Sequence, residues 1–274
     1  MMIDLHNHLL PALDDGPPNL QAAVLLAQQF VDDGTKVVAC TPHIQPGVYL
    51  NTGWKIRETV QGFQRHLNDI DCPLKLVSGA ENHVVPTFLS ELARGHLLTL
   101  AGTRYVLVEP PHHVAPPRLG TFLGKIASAG YVPILVHPER LAWIAEHYVA
   151  IREWAQHGVW IQVTAGALCN RFGTKAGYWA QRLVGDGLTH ILASDAHDHR
   201  RRRPSLAAAR QVAERLVGQT EATNLVVSRP QGILENQNPE ALQAPAGLLG
   251  SVKSMTGRGQ TNEQNQSGDF AAVA

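Results

Sequence analysis

The chain has 274 residues, 44% apolar and 17% charged, enough to bury one large α/β domain or two smaller ones. Lys+Arg and Asp+Glu both total 23, so the formal charge is zero, with no bulk electrostatic case for a nucleic-acid partner or an anionic membrane surface. The compositional surplus is histidine, at 14 residues, which matters only if some of them converge.

Met1 to His8 carries Asp4 and two histidines without an apolar core, unlike a signal peptide. No stretch approaches the roughly 20 apolar residues of a membrane span, so no membrane insertion is expected. Cys40, Cys72 and Cys169 are odd in number, widely spaced and without a CxxC pair. They fit buried thiols of a reducing compartment, and a cytoplasmic protein is expected.

In chain order, short Val/Ile/Leu-rich runs fall at Met2–Leu5, Lys36–Cys40, Leu74–Ser78, Tyr105–Val108, Val132–Val136, Val159–Val163 and His190–Ala193. Several are apolar almost throughout, as parallel strands buried on both faces are. Amphipathic segments lie between them. Asn19 caps a predicted helix with the stripe Leu20, Val24, Ala27 and Val31, and Gly34 stands where a C′ glycine belongs. Further helices are expected at Pro86–Arg94, Leu119–Ala129, Glu146–Gln156 and Gly177–Val184, and at Leu206–Leu216 behind a Ser205 cap. Trp54–Asp69 is a weaker helix, interrupted by Gly62. This alternation predicts a distorted (β/α)7 TIM-like parallel barrel over residues 1–235. An open doubly wound sheet is the alternative, disfavoured because neither GxGxxG nor a Walker A sequence occurs. Residues 236–274 turn to Gln, Asn, Gly and Ser and read as a polar tail, disordered from about Pro245.

The residues just past each predicted strand are more telling. Strand one leads to His6 and His8, with Asp14 and Asp15 soon after. Strand two leads to His43, strand three to Glu81, strand four to Glu109 and strand five to His137. Strand seven delivers Asp195 and His197, while strand six offers only Gln162 and Thr164. In a parallel barrel these ends share one mouth, where active sites of the architecture lie. Residues i and i+2 of a strand project to one side, so His6 and His8 can reach one ion. So many carboxylates in one volume would repel without cations. Two or three divalent metals resolve this, bridged roughly 3.5–4 Å apart. A mixed N/O set without thiolates favours Mn, Fe, Zn or Co. Asp15 is the weakest member, with Asp14 as competitor. Arg140, three residues past His137, and the run Arg200 to Arg203 offer guanidinium forks suited to phosphate oxygens. His83, His112, His113 and His199 flank the mouth, whereas Tyr49, Trp54 and Phe172 read as packing residues.

The motifs His6-Asn-His8, Leu13-Asp-Asp-Gly16, Thr41-Pro-His43, Gly79-Ala-Glu81, His137-Pro-Glu-Arg140, Gln162-Val-Thr-Ala-Gly166, Arg171-Phe-Gly173 and Ser194-Asp-Ala-His197 resemble the PHP (polymerase and histidinol phosphatase) superfamily. They are most similar to the bacterial capsule-type protein-tyrosine phosphatases, from Met1 to about Leu234. The resemblance implies a multinuclear, typically manganese-dependent site with His6, His8, Asp15, His43, Glu81, Glu109, His137, Asp195 and His197 as ligands. It implies phosphate binding by Arg140 and by one arginine of the last loop: Arg202 by spacing, or Arg203 by the proline after it. It also implies a phosphotyrosine-bearing substrate, a bacterial tyrosine autokinase of exopolysaccharide or capsule export. Asn82-His83 and Pro110-Pro-His-His113 depart from the usual pattern.

The expected chemistry is in-line attack on phosphorus by a metal-bridging hydroxide, without a cysteine nucleophile, since no Cys-x5-Arg loop exists. Two rival readings are a PHP-type phosphatase of a small phosphomonoester such as histidinol phosphate, and a non-catalytic metal-stabilised binding module. The oligomeric state is left open.

Overall fold

In the computed structural model, residues 1–248 are described. Nine strands occur among them, all parallel to their neighbours: β1 (Met2–Asp4), β2 (Thr35–Cys40), β3 (His43–Ile44), β4 (Lys75–Ser78), β5 (Glu81–His83), β6 (Tyr105–Glu109), β7 (Val132–Val136), β8 (Trp160–Thr164) and β9 (Ile191–Ala193). They form a three-stranded sheet, β1-β2-β4, and a curled six-stranded sheet, β3-β5-β6-β7-β8-β9, giving an α/β fold of TIM-like type. Every residue of β6, β7 and β8 is buried, as their largely apolar runs require, including the polar Glu109, Gln162 and Thr164 at or near their C-terminal ends.

β3 and β5 were not expected as separate strands. Pro42 has no N–H for the ladder and ends β2. Opposite it, Gly79 ends β4, where a Cβ would stand 3.0 Å from both Leu100 and Thr41. Past this double break His43 pairs with Glu81, and both side chains are carried into the six-stranded sheet. Backbone bonds also link the chain ends of the two sheets. Asn7 bridges Ala196 in parallel fashion, His8 N–H donates to Ala196 O at 2.8 Å, and Asp195 N–H donates to His6 O at 2.8 Å.

The helices pack outside. α1 (Leu20–Asp32) is capped as expected, the Asn19 side chain accepting from Ala22 N–H at 3.0 Å, and Gly34 takes φ 86°. α2 (Gly53–Asp69) runs unbroken through Gly62. Glycine costs about 1 kcal/mol inside a helix, and burial of Ile56, Val60, Phe63 and Leu67 offsets it. α3 (Phe88–Ala93), α4 (Leu119–Ser128), α5 (Ile144–Gln156), α6 (Ala165–Leu168), α7 (Gly173–Gly185) and α8 (Leu206–Val217) follow. Ser205 precedes α8 but makes no side-chain cap bond, contrary to expectation. No helix among the described residues is long and apolar enough to cross a membrane.

A last helical stretch, residues 219–234, covers the strand starts. Its Ile233 joins Tyr105, Val132, Trp160 and Ile191 in one apolar cluster. Asn236 and Gln237, assigned by composition to the tail, are tied to the body. Asn236 accepts from Arg104 N–H at 2.9 Å, and Gln237 O accepts from the Tyr105 hydroxyl at 2.9 Å. The disorder expected from about Pro245 falls, beyond Leu248, outside the described residues.

Candidate metal centre

Strand alternation does the first part of the placement. His6 and His8 project to one side, while Asn7 turns away and is pinned by Ala39 O (3.0 Å) and by the Thr41 hydroxyl (2.9 Å). Glu81 Oε2 then lies 3.2 Å from His6 Nε2, 3.2 Å from His8 Nε2 and 3.1 Å from His43 Nδ1. Asp195 Oδ1 lies 3.7, 3.5 and 3.6 Å from His6, His8 and His197. His43 Nδ1 reaches Glu109 at 3.3 Å, and His137 Nε2 reaches Glu81 Oε1 at 2.7 Å. Asp15 Oδ1 stands 3.2 Å from His197 Nε2 and 3.7 Å from His43 Nε2. All nine residues expected at the mouth converge on one volume.

Hydrogen bonds do not satisfy this cluster. His6 Nε2, His8 Nε2, His43 Nδ1, His197 Nε2 and Glu81 Oε2 are buried atoms without a hydrogen-bond partner. A buried unpaired polar group costs about 1–3 kcal/mol. Five of them aimed at one another are a poor protein core and a good cation cradle. Sets of three and four donors with ligand atoms within 4.8 Å include His8, Asp15, His43 and His197, and also His43, Glu81 and Glu109.

An outer layer sets the imidazole tautomers. Asp14, not a member of the inner set, has a fully covered side chain that meets His8 Nδ1 at 2.6 Å while accepting from His43 N–H at 2.9 Å. Asp15 is the neighbour turned into the cluster, 43% exposed. Gly16 must be glycine, because a Cβ there would meet His8 O at 2.3 Å. At the sixth predicted strand, the Gln162 side-chain oxygen lies 3.0 Å from His6 Nδ1 and 3.3 Å from His137 N–H. The backbone donor identifies that atom as the oxygen. His6 Nδ1 therefore donates, so Nε2 is the ring atom that faces Glu81 and Asp195 and, once deprotonated, the one that offers a lone pair to an ion. His137 and Asp195 adopt φ 34° and 52°, left-handed backbone that non-glycine residues occupy at a cost of about 1–3 kcal/mol.

The electrostatics follow from burial and charge. Burial alone would lower His6, but Glu81 and Asp195 raise it to about 8. Burial likewise opposes His8, which Asp14 lifts well above its ordinary value. Burial would raise Asp195, yet Arg202 and Arg140 hold it well below the usual carboxylate range. Burial and the Arg140 charge bring His137 down to about 4 against the pull of Glu81.

Arg140 Nη1 and Arg202 Nη2 both donate to Asp195 Oδ2, the latter at 2.7 Å. Both guanidinium groups also sit over the Phe172 ring, 5.3 and 5.8 Å from its centre. Phe172 is thus a platform for two cations, a role missed in the sequence, where it looked like packing. Arg203 is exposed. The loop explains the choice between them. Asp198 accepts from the backbone N–H groups of Arg200, Arg201 and Arg202 at 2.6, 2.6 and 3.3 Å, and this turn points Arg202 inward. Tyr49, also read as packing, stacks on His43 at 5.2 Å. Burial pushes the Cys40 thiol up, so it is no nucleophile.

A curled parallel sheet with an imidazole–carboxylate cluster and two arginines at its C-terminal strand ends defines a TIM-like α/β protein whose clustered donors could hold metal ions. Residues 2–235 match the model of the family "Capsular polysaccharide synthesis, CpsB/CapC", and the chain belongs to that family. It is 32% identical over 236 residues to tyrosine-protein phosphatase YwqE of Bacillus subtilis, covering 86% of this chain and 92% of that protein. Against tyrosine-protein phosphatase CpsB of Streptococcus pneumoniae the identity is 26% over 241 residues, 86% of this chain and 99% of that one. A solved structure of YwqE and CpsB, described as unique metal-dependent tyrosine phosphatases, superposes with a TM-score of 0.83 at 32% identity, covering 86% of this chain and 96% of that one. These relatives bear out the resemblance to PHP-type phosphatases. A probable 2-pyrone-4,6-dicarboxylic acid hydrolase of Acinetobacter baumannii shares the fold alone, with a TM-score of 0.51 at 15% identity.

Proposed function

We propose that the chain is a metal-dependent protein-tyrosine phosphatase, hydrolysing phosphotyrosine on a bacterial tyrosine autokinase of capsule or exopolysaccharide synthesis, in the cytoplasm. What carries the reading is the cluster of buried, unpartnered nitrogen and oxygen atoms around Glu81, in a chain whose relatives carry the phosphatase name. We read β2 with β3, and β4 with β5, as single broken staves of a distorted (β/α)7 barrel domain over residues 1–235, followed by a polar extension.

His6, His8, Asp15, His43, Glu81, Glu109, His137, Asp195 and His197 would hold two or three divalent ions, Mn2+ first among the candidates. Bound there, the ions supply Lewis-acid activation of water near neutral pH and neutralise charge developing on the phosphoryl group. The protein's own groups do the rest. Arg140 and Arg202 turn their forks from Asp195 to phosphoryl oxygens, and Phe172 keeps both guanidinium planes in place. Asp14 and Gln162 hold His8 and His6 in the tautomers that leave Nε2 free. Water and phosphotyrosine yield tyrosine and inorganic phosphate.

Metal quantitation on the purified protein, with phosphotyrosyl-peptide turnover measured with and without added manganese, tests this. Stoichiometric metal and metal-dependent release of phosphate are expected. Full activity after replacing His6 and His8 by alanine overturns it, and strong preference for a small phosphomonoester moves the substrate assignment.

A further inference from the structure

The Glu109 side of the cluster carries more imidazole than the nine-residue set uses. His43 Nδ1 and His83 Nδ1 lie 3.3 and 3.5 Å from Glu109 Oε2, and His112 Nε2 lies 3.3 Å from Oε1. His112 Nε2 is a buried atom not aligned for a hydrogen bond, and nearby His137 Nδ1 is likewise buried without a partner. The His112 and His137 rings meet edge to face, 5.1 Å apart. Glu109, His112 and His137 present ligand atoms within 4.8 Å of one another.

His112 is not on a loose arm. Pro110 and Pro111 restrict the backbone before it. Pro111 O accepts from the Trp143 indole at 3.0 Å, and His112 O accepts from Ala142 N–H at 2.9 Å. The loop is thereby fastened to the segment that carries Arg140, and the ring is delivered at a fixed height beside Glu109. A histidine kept only for packing would align its buried nitrogen for a hydrogen bond, whereas His112 Nε2 approaches Glu109 Oε1 at 3.3 Å without that alignment.

We propose that His112 is a metal ligand, completing with Glu109 and His137 a position of two imidazoles and one carboxylate at this edge of the site. The inference rests on the metal-centre reading above and adds a tenth ligand to it. A second imidazole makes this position richer in nitrogen than a carboxylate-dominated one. It therefore favours later first-row ions such as zinc or cobalt over manganese.

The test uses full-length protein stripped with a chelator, then titrated with Zn2+, Mn2+ or Co2+ and read by elemental analysis and by the visible spectrum of the cobalt form. His112→Ala is expected to lower the affinity for one ion by about tenfold or more, to reduce the zinc-over-manganese preference of that ion and to change the cobalt spectrum. His112→Gln retains volume and polarity, and it gives the same result if alanine perturbs folding. Unchanged affinities and an unchanged cobalt spectrum overturn the proposal. So does a fall in turnover at unchanged metal affinity, which makes His112 a substrate-facing group instead. His6→Ala, titrated in parallel, separates the two levels: full metal loading there removes the metal-centre reading itself.

Discussion

The two ends of the strands treat buried charge in opposite ways. At the strand starts Arg229 is buried, 1% exposed, and its donors are matched. Glu221 takes Nη2 at 2.7 and 2.8 Å, His190 O takes Nη1 at 3.1 Å, and Gln243 O takes Nε at 2.7 Å. At the strand ends five atoms around Glu81 have no match. A satisfied buried polar group rigidifies its surroundings, whereas an unsatisfied one is tolerated where a ligand completes it. The starts are built for stability and the ends for occupancy.

Breaking the functional end first, His6→Ala/His8→Ala should lower turnover by roughly 1000-fold or more, the several kcal/mol that metal-ion catalysis supplies. Thermal unfolding without metal should shift far less than turnover does, because relief of the unpartnered Nε2 atoms opposes loss of the His8–Asp14 and His6–Gln162 contacts. Collapse of the fold in that variant would erase the contrast. At the other end, Arg229→Ala leaves Glu221 uncompensated. It should cost about 3 kcal/mol in urea unfolding, with turnover per folded molecule unchanged.

Finer cuts sharpen the functional end. Arg202→Ala should raise KM for phosphotyrosyl peptide by about 10–100-fold, the worth of a charge-assisted bond, and Arg203→Ala should stay within about twofold. Equal effects would mean the loop turns differently. Gln162→Leu should weaken metal binding by about tenfold, and Gln162→Glu, which keeps an acceptor for His6 Nδ1, by less. The smallest effect is a proton count. His6 is raised to about 8, so its metal-free imidazole is charged at neutral pH and must lose that proton to bind an ion. Metal affinity should therefore rise with pH up to about 8, and calorimetry in buffers of different ionisation enthalpy should register proton release. No release at pH 7 would mean the carboxylates do not hold His6 charged.

What could be read before folding was whatever one strand dictates by itself. Period-two alternation put His6 and His8 on one side, and a residue just past a buried run had to face the mouth. That logic reached Glu81, Glu109, His137 and Asp195. It failed wherever two segments decide together. Asp14 and Asp15 are adjacent, and only the approach of His8 and His43 makes one an orienting group and the other a member of the cluster. Gln162 looked like a gap because its partners, His6 and His137, are 156 and 25 residues away. Phe172 read as packing until two distant arginines came to rest over it.

The amino-acid sequence by itself determined the alternating α/β architecture, the side of each strand end and thus the inventory of charged groups at the mouth, because those follow from local periodicity. Tertiary structure decided which arginine of the last loop turns inward, the tautomer of His6 and the convergence of His112 with Glu109 and His137. Each depends on a hydrogen bond or close approach whose partner another part of the chain supplies.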